Sequence, residues 1–239
     1  MERISLQSAF VLHSRSYRES SLLLDVFSSD YGKIALVAKG IRKNRSGLCA
    51  ILQPFNPIRV SWSGKTDLYT LTAAELIPPG ISLQGRNLYC GLYLNELLNY
   101  FLHRHDPHRN LFSHYAAALM ALSEHDAAEE TLRYFELALL DEIGFGLQIE
   151  QDSESGEAIK PDRRYDYRIG QGLVESDSSV HGIAGSTLIS LVQRKLQGPV
   201  QLSESKRMMR AIIDNHLAGK ALRSRSLFTV KSTKYQKPD

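Results

Sequence analysis

Five short extended segments followed by a run of helices predict an α+β chain, an N-terminal five-stranded OB-type barrel leading into a mainly helical C-terminal domain. Three observations carry this reading. Alternating apolar and polar residues separated by tight polar turns fill residues 9–77, Pro78, Pro79 and Gly80 end that stretch, and from Gly85 the apolar residues recur at helical spacing. The expected partition is residues 1–80 for the barrel and 81–239 for the helical domain, with a turn-rich insertion at about 148–179.

The strands are expected at 9–16, 20–28, 33–39, 57–62 and 68–76. Tyr17, Arg18 and Glu19 make the first turn. Ser29, Asp30, Tyr31 and Gly32 make the second, with glycine where a hairpin often needs a positive φ. In the third strand Ile34, Leu36 and Ala38 alternate with Lys33, Ala35, Val37 and Lys39, the period of a half-buried strand. Gly40 breaks it, and the long connection to residue 56 carries Arg42, Lys43, Arg45 and Ser46. Ser63 to Asp67 form the last tight turn. One long connection among five strands favours an OB barrel, although a small SH3-like barrel gives a similar string.

Beyond Gly80 the first helix spans 85 to about 104 and stops at Asp106 and Pro107. A second carries Leu111, Tyr115, Ala118, Leu119 and Leu122. A third, capped by Asp126, carries Leu132, Phe135, Leu137, Leu139, Leu140 and Ile143 and ends at Gly144. The insertion is rich in Asp, Glu, Ser and Gly, with extended pieces at 165–169 and 172–174. Helix signals return at 185–196, and a Ser203 cap after Pro199 is expected to start a last helix through Met209, Ile212, Ile213 and Leu217.

With 239 residues and 43% hydrophobic content the chain buries a substantial core. Its net charge of +3 is only mildly basic, so a polyanionic partner requires cations gathered locally. The N-terminus lacks the apolar core of a signal peptide and no stretch reaches the length of a membrane span, so a cytosolic protein is expected. Cys49 and Cys90, the only cysteines, make neither a disulfide framework nor a cysteine zinc site.

Enzyme signatures fail on physical grounds. Gly64, Lys65 and Thr66 resemble the end of a P-loop, but Arg59 stands where its first glycine belongs, and the tripeptide lies between two strands rather than before a helix. Gly170 and Gly172 lack a third glycine at dinucleotide spacing, and no serine sits in a nucleophile elbow. His103, His105 and His108 with Asp106 straddle a helix end, where their side chains diverge as a solvated terminus does. The adjacent pairs Glu129 with Glu130 and Asp141 with Glu142 point different ways on a helix. No catalytic residue, metal site or cofactor is therefore expected.

Binding signals are stronger. Arg42, Lys43 and Arg45, Lys33 and Lys39 on the neighbouring strand, and Arg15 and Arg18 at the first turn are candidates to meet phosphates, with Tyr17 and Tyr31 placed to stack on bases. The competing reading is a solvated charge run and two turn-packing tyrosines. In the helical half Arg133 precedes Tyr134, Phe135 and Leu137, an arrangement suited to a cation at the rim of an apolar groove for an acidic peptide with an aromatic end. The alternative is that Phe135 is core. A second basic cluster, Gly219 to Phe228, continues into Lys231, Lys234 and Lys237, opposed only by Asp239.

The phrases FVLHSRSYRESSLLLDVFSSDYGKI, LVAKGIRKNRS, LQPFNP, LYCGLYLNELL, LRYFELALLDEIGFG and GKALRSRSLF, spread from residue 10 to 228, resemble the bacterial recombination mediator family RecO, in its gammaproteobacterial form. The resemblance implies a non-enzymatic, cytoplasmic and nucleoid-associated role in recombinational repair. It implies binding of single- and double-stranded DNA, annealing of complementary strands, recognition of the acidic C-terminal tail of single-stranded-DNA-binding protein, and cooperation with RecR to load RecA. Carried onto this sequence, it assigns DNA contact to Lys39, Arg42, Lys43 and Arg45, and tail recognition to Arg133, Lys220, Arg223 and Arg225. Many members of the family hold a four-cysteine zinc site in the insertion, whereas residues 148–177 contain no cysteine, so a zinc-free insertion is expected. The competing reading of the whole is an OB-fold RNA-binding protein without catalytic activity.

Overall fold

The computed structural model describes residues 2–41, 47–124, 128–176 and 182–228. Five strands, β1 (Glu2–Tyr17), β2 (Ser21–Ser28), β3 (Gly32–Ala38), β4 (Ile58–Gly64) and β5 (Leu68–Leu76), close into a barrel in the order β1-β2-β3-β5-β4. Closure needs one parallel contact, β3 on β5, with Ala35, Leu36 and Val37 opposite Leu68, Tyr69 and Thr70. β4 runs antiparallel to both β5 and β1. This is the expected OB-type architecture, and its interior is filled by Phe10, Leu12, Leu24, Val26, Ile34, Leu36, Ile58, Val60 and Trp62, all nearly or fully inaccessible.

Two strands differ from expectation. β1 starts at Glu2 rather than Ala9, because its polar first half pairs with β4 as far as Gly64. That pairing contains a bulge between Ile4 and Gln7. Leu6 sits in it at φ 54°, with its amide donating to Ser61 Oγ at 3.0 Å. The alternation over residues 2–8 is broken by this bulge, which hides the strand from a period count. β3 is buried on both faces from Ile34 to Ala38, not on one. The run Ile-Ala-Leu-Val-Ala is the near-continuous apolar string that a doubly covered strand shows.

The described helices are α1 (Leu48–Ile51), α2 (Gly85–Phe101), α3 (Arg109–Glu124), α4 (Ala128–Leu140), α5 (Gly185–Val192), α6 (Gly198–His216) and α7 (Ser224–Leu227). α4 runs on into a wide turn, Asp141–Phe145, that Gly144 ends at φ +81°. The expected Asp126 cap lies outside the described residues. α6 begins at Gly198, not at Ser203, with Pro199 inside its first turn, where a missing N–H is harmless; Gln201 accepts from the Gln197 amide at 2.8 Å there. The insertion forms a three-stranded sheet, ordered β7-β6-β8, from β6 (Arg164–Arg168), β7 (Gly172–Glu175) and β8 (Ile183–Ala184).

The chain divides into two compact units, each discontinuous in sequence. One comprises Met1–Val26, Ala35–Phe101 and Ala221–Asp239; the other comprises Phe27–Ile34 and Leu102–Lys220. In the first, Asn95 on α2 donates its buried side-chain amide to the Leu12 carbonyl at 2.9 Å, which ties α2 to β1. In the second, the β2–β3 hairpin tip packs with α3: Phe27 meets Phe112 and Tyr115 edge-on, and Arg109 donates to Asp30 at 2.8 Å. Gly32 is needed there twice over, by its φ of +64° and because a β-carbon would stand 2.0 Å from the Asp106 carbonyl oxygen.

Candidate nucleic-acid interface

The barrel unit presents its cations at strand ends. β1 runs on to Tyr17, past the end of its ladder with β4 at Ala9; Arg15 is exposed near its end, and Arg18 follows at φ 52° with its guanidinium 5.3 Å from the Tyr17 ring centroid. Lys39 is exposed just past β3. Next, Ile41 is buried, and after the interval 42–46 the chain is fixed again by α1 and by Leu52, 1% exposed. Asn56 secures that turn by donating to the Ala50 and Ile51 carbonyls. Arg42, Lys43 and Arg45 lie outside the described residues, between two anchored points. Tyr17 is half-buried in the same unit, whereas Lys33 and Tyr31, both half-buried, belong to the other unit. The Lys33 carbonyl accepts from the His105 amide there at 3.1 Å.

In the helical unit Arg133 is not at an open rim. It is 5% exposed, and its guanidinium donates to Glu136, itself 1% exposed, one helical turn on. A charge in this position is held by a buried partner and is withdrawn from a visiting peptide. Phe135 is 2% exposed and edge-packed on Tyr115, so it belongs to the core, yet it also forms part of the wall of a 140 Å³ groove with Ala117, Ala118, Ala121, Thr131 and Tyr134. The exposed cation beside that groove is Arg194, held at φ 54° after α5 and absent from the sequence-based candidates because nothing local marks it. The Tyr134 hydroxyl accepts from the Leu196 amide at 2.9 Å, and burial raises its pKa. Lys220 is exposed in this same unit.

Arg223 and Arg225 fall in the barrel unit instead. The amides of Arg223 and Ser224 donate to the two Glu96 carboxylate oxygens at 2.8 and 2.9 Å, and the Ser224 hydroxyl donates to Oε2 at 2.5 Å. Arg225 lies 6.0 Å from the Tyr93 ring centroid, and Phe228 meets Tyr89 edge-on. Arg223 and Arg225 therefore belong to the barrel unit, and the residues of the groove beside Phe135 to the other.

The insertion is organised around a carboxylate. Asp152, 5% exposed, accepts from the Glu154 amide at 2.9 Å, the Ser155 amide at 2.7 Å and the Ser155 hydroxyl at 3.0 Å through Oδ1, and from the Glu175 amide at 2.6 Å through Oδ2. Those bonds, led by the Ser155 amide, hold its carboxyl below the ordinary aspartate pKa despite burial. The sheet then shares a core with α5 and α6 through Ile149, Ile159, Tyr165, Leu173, Ile183, Leu188, Leu191, Met208 and Met209. A tetrahedral zinc does not fit this donor set: cysteine is absent and the central carboxylate is already filled by N–H and O–H donors. Among the described residues no group of three or more His, Cys, Asp or Glu is placed to hold a metal ion. His103, His105 and Asp106 are exposed, while His108 turns to Asp106 and Glu142, 3.4 Å from each.

A closed barrel of OB strand order, with exposed cations at its strand ends and followed by a mostly helical region, defines the class: an OB-barrel protein. Residues 1–79 match the family described as Recombination protein O N terminal, and residues 83–226 match Recombination protein O C terminal. The chain belongs to the RecO family. It is 46% identical over 230 residues to the DNA repair protein RecO of Methylococcus capsulatus, covering 96% of this chain and 95% of the relative. It is 43% identical over 225 residues to that of Aliivibrio fischeri strain MJ11, covering 93% and 94%. To that of Halorhodospira halophila it is 44% identical over 228 residues, covering 93% and 95%. Among the described residues no helix is long and apolar enough to cross a membrane.

Proposed function

We propose that this chain is a non-enzymatic recombination mediator that captures DNA by its phosphates, anneals complementary strands, and works with RecR to load RecA onto DNA coated by single-stranded-DNA-binding protein. It acts in the cytoplasm at the nucleoid. The observation that carries the proposal is membership of the RecO family across both halves of the chain, on a barrel whose strand ends expose Arg15, Arg18 and Lys39. These cations, with Lys33 and the segment Arg42, Lys43 and Arg45, supply charge and donors that position a backbone without reading its bases. The acidic tail of the coat protein docks in the groove beside Phe135, where Arg194 supplies the cation that Arg133 does not, and Lys220 extends the positive field.

The test is the annealing rate of two complementary strands coated with cognate single-stranded-DNA-binding protein, intact or lacking its acidic tail. Acceleration with the intact coat alone is expected. Acceleration with both coats removes the docking part, and acceleration with neither refutes the mediator reading. A preference for RNA over DNA of equal length and sequence shifts the assignment to an RNA-binding protein, since only RNA offers the 2′-hydroxyl.

A further inference from the structure

A second surface of the barrel unit combines aromatic rings with cations. On α2, Arg86, Tyr89, Tyr93 and Glu96 fall at helical spacing along one face, and α7 lies against that face in the same unit. The contacts run down α2 as α7 advances. Glu96 accepts from the Arg223 and Ser224 amides and the Ser224 hydroxyl, Arg225 faces the Tyr93 ring, and Phe228 meets Tyr89 edge-on with the centroids 6.0 Å apart. α7 is a single turn with little stability of its own, so these contacts fix where its side chains stand. Tyr93 is buried beneath them, whereas Tyr89 and Phe228 remain 37% and 39% exposed. The charge is one-sided. Three arginines, Arg86, Arg223 and Arg225, stand against Glu96, whose two oxygens already accept from amides and a hydroxyl. Arg86 and Arg223 are exposed.

We infer that this α2–α7 face is a stacking platform for the unpaired bases of single-stranded DNA, with Arg86 and Arg223 meeting the flanking phosphates. From Arg86 to Glu96 the face is about 15 Å long, at 1.5 Å per helical residue. Every base has a flat face to lay on an aromatic ring, so the platform is indifferent to sequence. A duplex, its bases already stacked on one another, offers such a surface only its phosphates. An acidic peptide meets the same cations, but its apolar anchor gains from enclosure, and the groove that provides enclosure is built from residues of the other unit. Single-stranded DNA is therefore the occupant assigned to the exposed rings.

The inference rests on DNA capture by the intact chain, and the experiment separates the two. Dissociation constants for an oligothymidine strand and for a mixed-sequence duplex are measured with the full chain and with Y89L/F228L, which keeps apolar bulk but removes both rings. Affinity for oligothymidine is expected to fall on the order of tenfold, with duplex affinity unchanged. Phe228→Trp is the second variant. The chain's own tryptophan, Trp62, is 1% exposed, so the added indole reports on the platform directly. Oligothymidine is expected to quench its fluorescence, and the duplex to leave it unaltered. Should Y89L/F228L fail to fold, the quenching decides alone. Unaltered oligothymidine affinity, equal losses for both DNAs in a folded variant, or oligothymidine bound without quenching each overturn the inference while DNA capture stands. So does a variant that loses affinity only for the acidic tail peptide. No DNA binding by the intact chain removes both.

Discussion

Replacing Asp152 by alanine removes the acceptor that holds the insertion together, leaving three backbone amides and one hydroxyl, now bonded at 2.6–3.0 Å, without their partner. Hydrogen bonds to an ionised group contribute about 1.5–3 kcal/mol each. The 152–157 loop lies at the surface, however, so the released amides of Glu154 and Ser155 regain water and the sum is not reached. Partial recovery of this kind across the four bonds sets the expected cost at about 3 kcal/mol. That corresponds to an increase on the order of a hundredfold in amide exchange at Glu175 if the insertion opens locally. Asp152→Asn keeps one acceptor oxygen but turns an NH₂ toward either Glu175 or Ser155, so an intermediate loss is expected. Because the carboxyl pKa is lowered in the folded state, its contribution is fully present above the ordinary aspartate pKa. It is lost as the pH falls through the lowered folded-state value, and the alanine variant lacks that acid limb. The assay is hydrogen exchange by NMR at residues 154, 155 and 175, alongside thermal unfolding. Unchanged protection at Glu175 in the alanine variant refutes the claim that this carboxylate holds the insertion.

Gly32→Ala combines a left-handed backbone with a clash against the Asp106 carbonyl, and a loss exceeding about 2 kcal/mol is expected in chemical denaturation. Glu204, 7% exposed, accepts from Thr187, Arg164 and Ala184, and these bonds outweigh the burial that opposes them to keep its pKa low. Glu204→Ala removes the carboxylate that Arg164 and Thr187 donate to and costs about 3 kcal/mol, or on the order of 10 °C in Tm, measurable by calorimetry. Its contribution holds at neutral pH and disappears as the pH falls through the lowered folded-state value, so the variant's acid unfolding profile is flatter. R42A/K43A/R45A flattens the salt dependence of duplex DNA binding by up to about 2.7, at 0.9 per phosphate; a slope equal to that of the unmodified chain excludes this segment from the interface.

The alternating segments, the polar turns and the proline pair at 78–79 were enough to read a barrel followed by helices, because period and breaker residues are local properties. The same locality explains what was hidden. The bulge at Leu6 disguises the first half of β1, and Pro199 reads as a breaker until Gln197 and Gln201 are seen to close the turn around it. Among the candidate site residues, the exposure of Arg15, Arg18 and Lys39 follows from their chemistry, but the fate of Arg133 does not. An arginine beside an apolar helix face looks like a rim cation until Glu136, one turn away, is found buried with it.

By itself the sequence determined the two classes of secondary structure, the basic segments and the lack of ligands for a cysteine zinc site, since each depends on residue type and spacing along the chain. Only the tertiary structure decided which charges are available. It pairs Arg133 internally, brings Arg194 to the groove wall, and joins Glu96 to Arg223 and Ser224 across more than 120 positions of sequence. It also sends the hairpin tip at 27–34 to one unit and residues 221–228 to the other. Burial and long-range hydrogen bonding set these outcomes, and both are properties of the packed chain that no local pattern encodes.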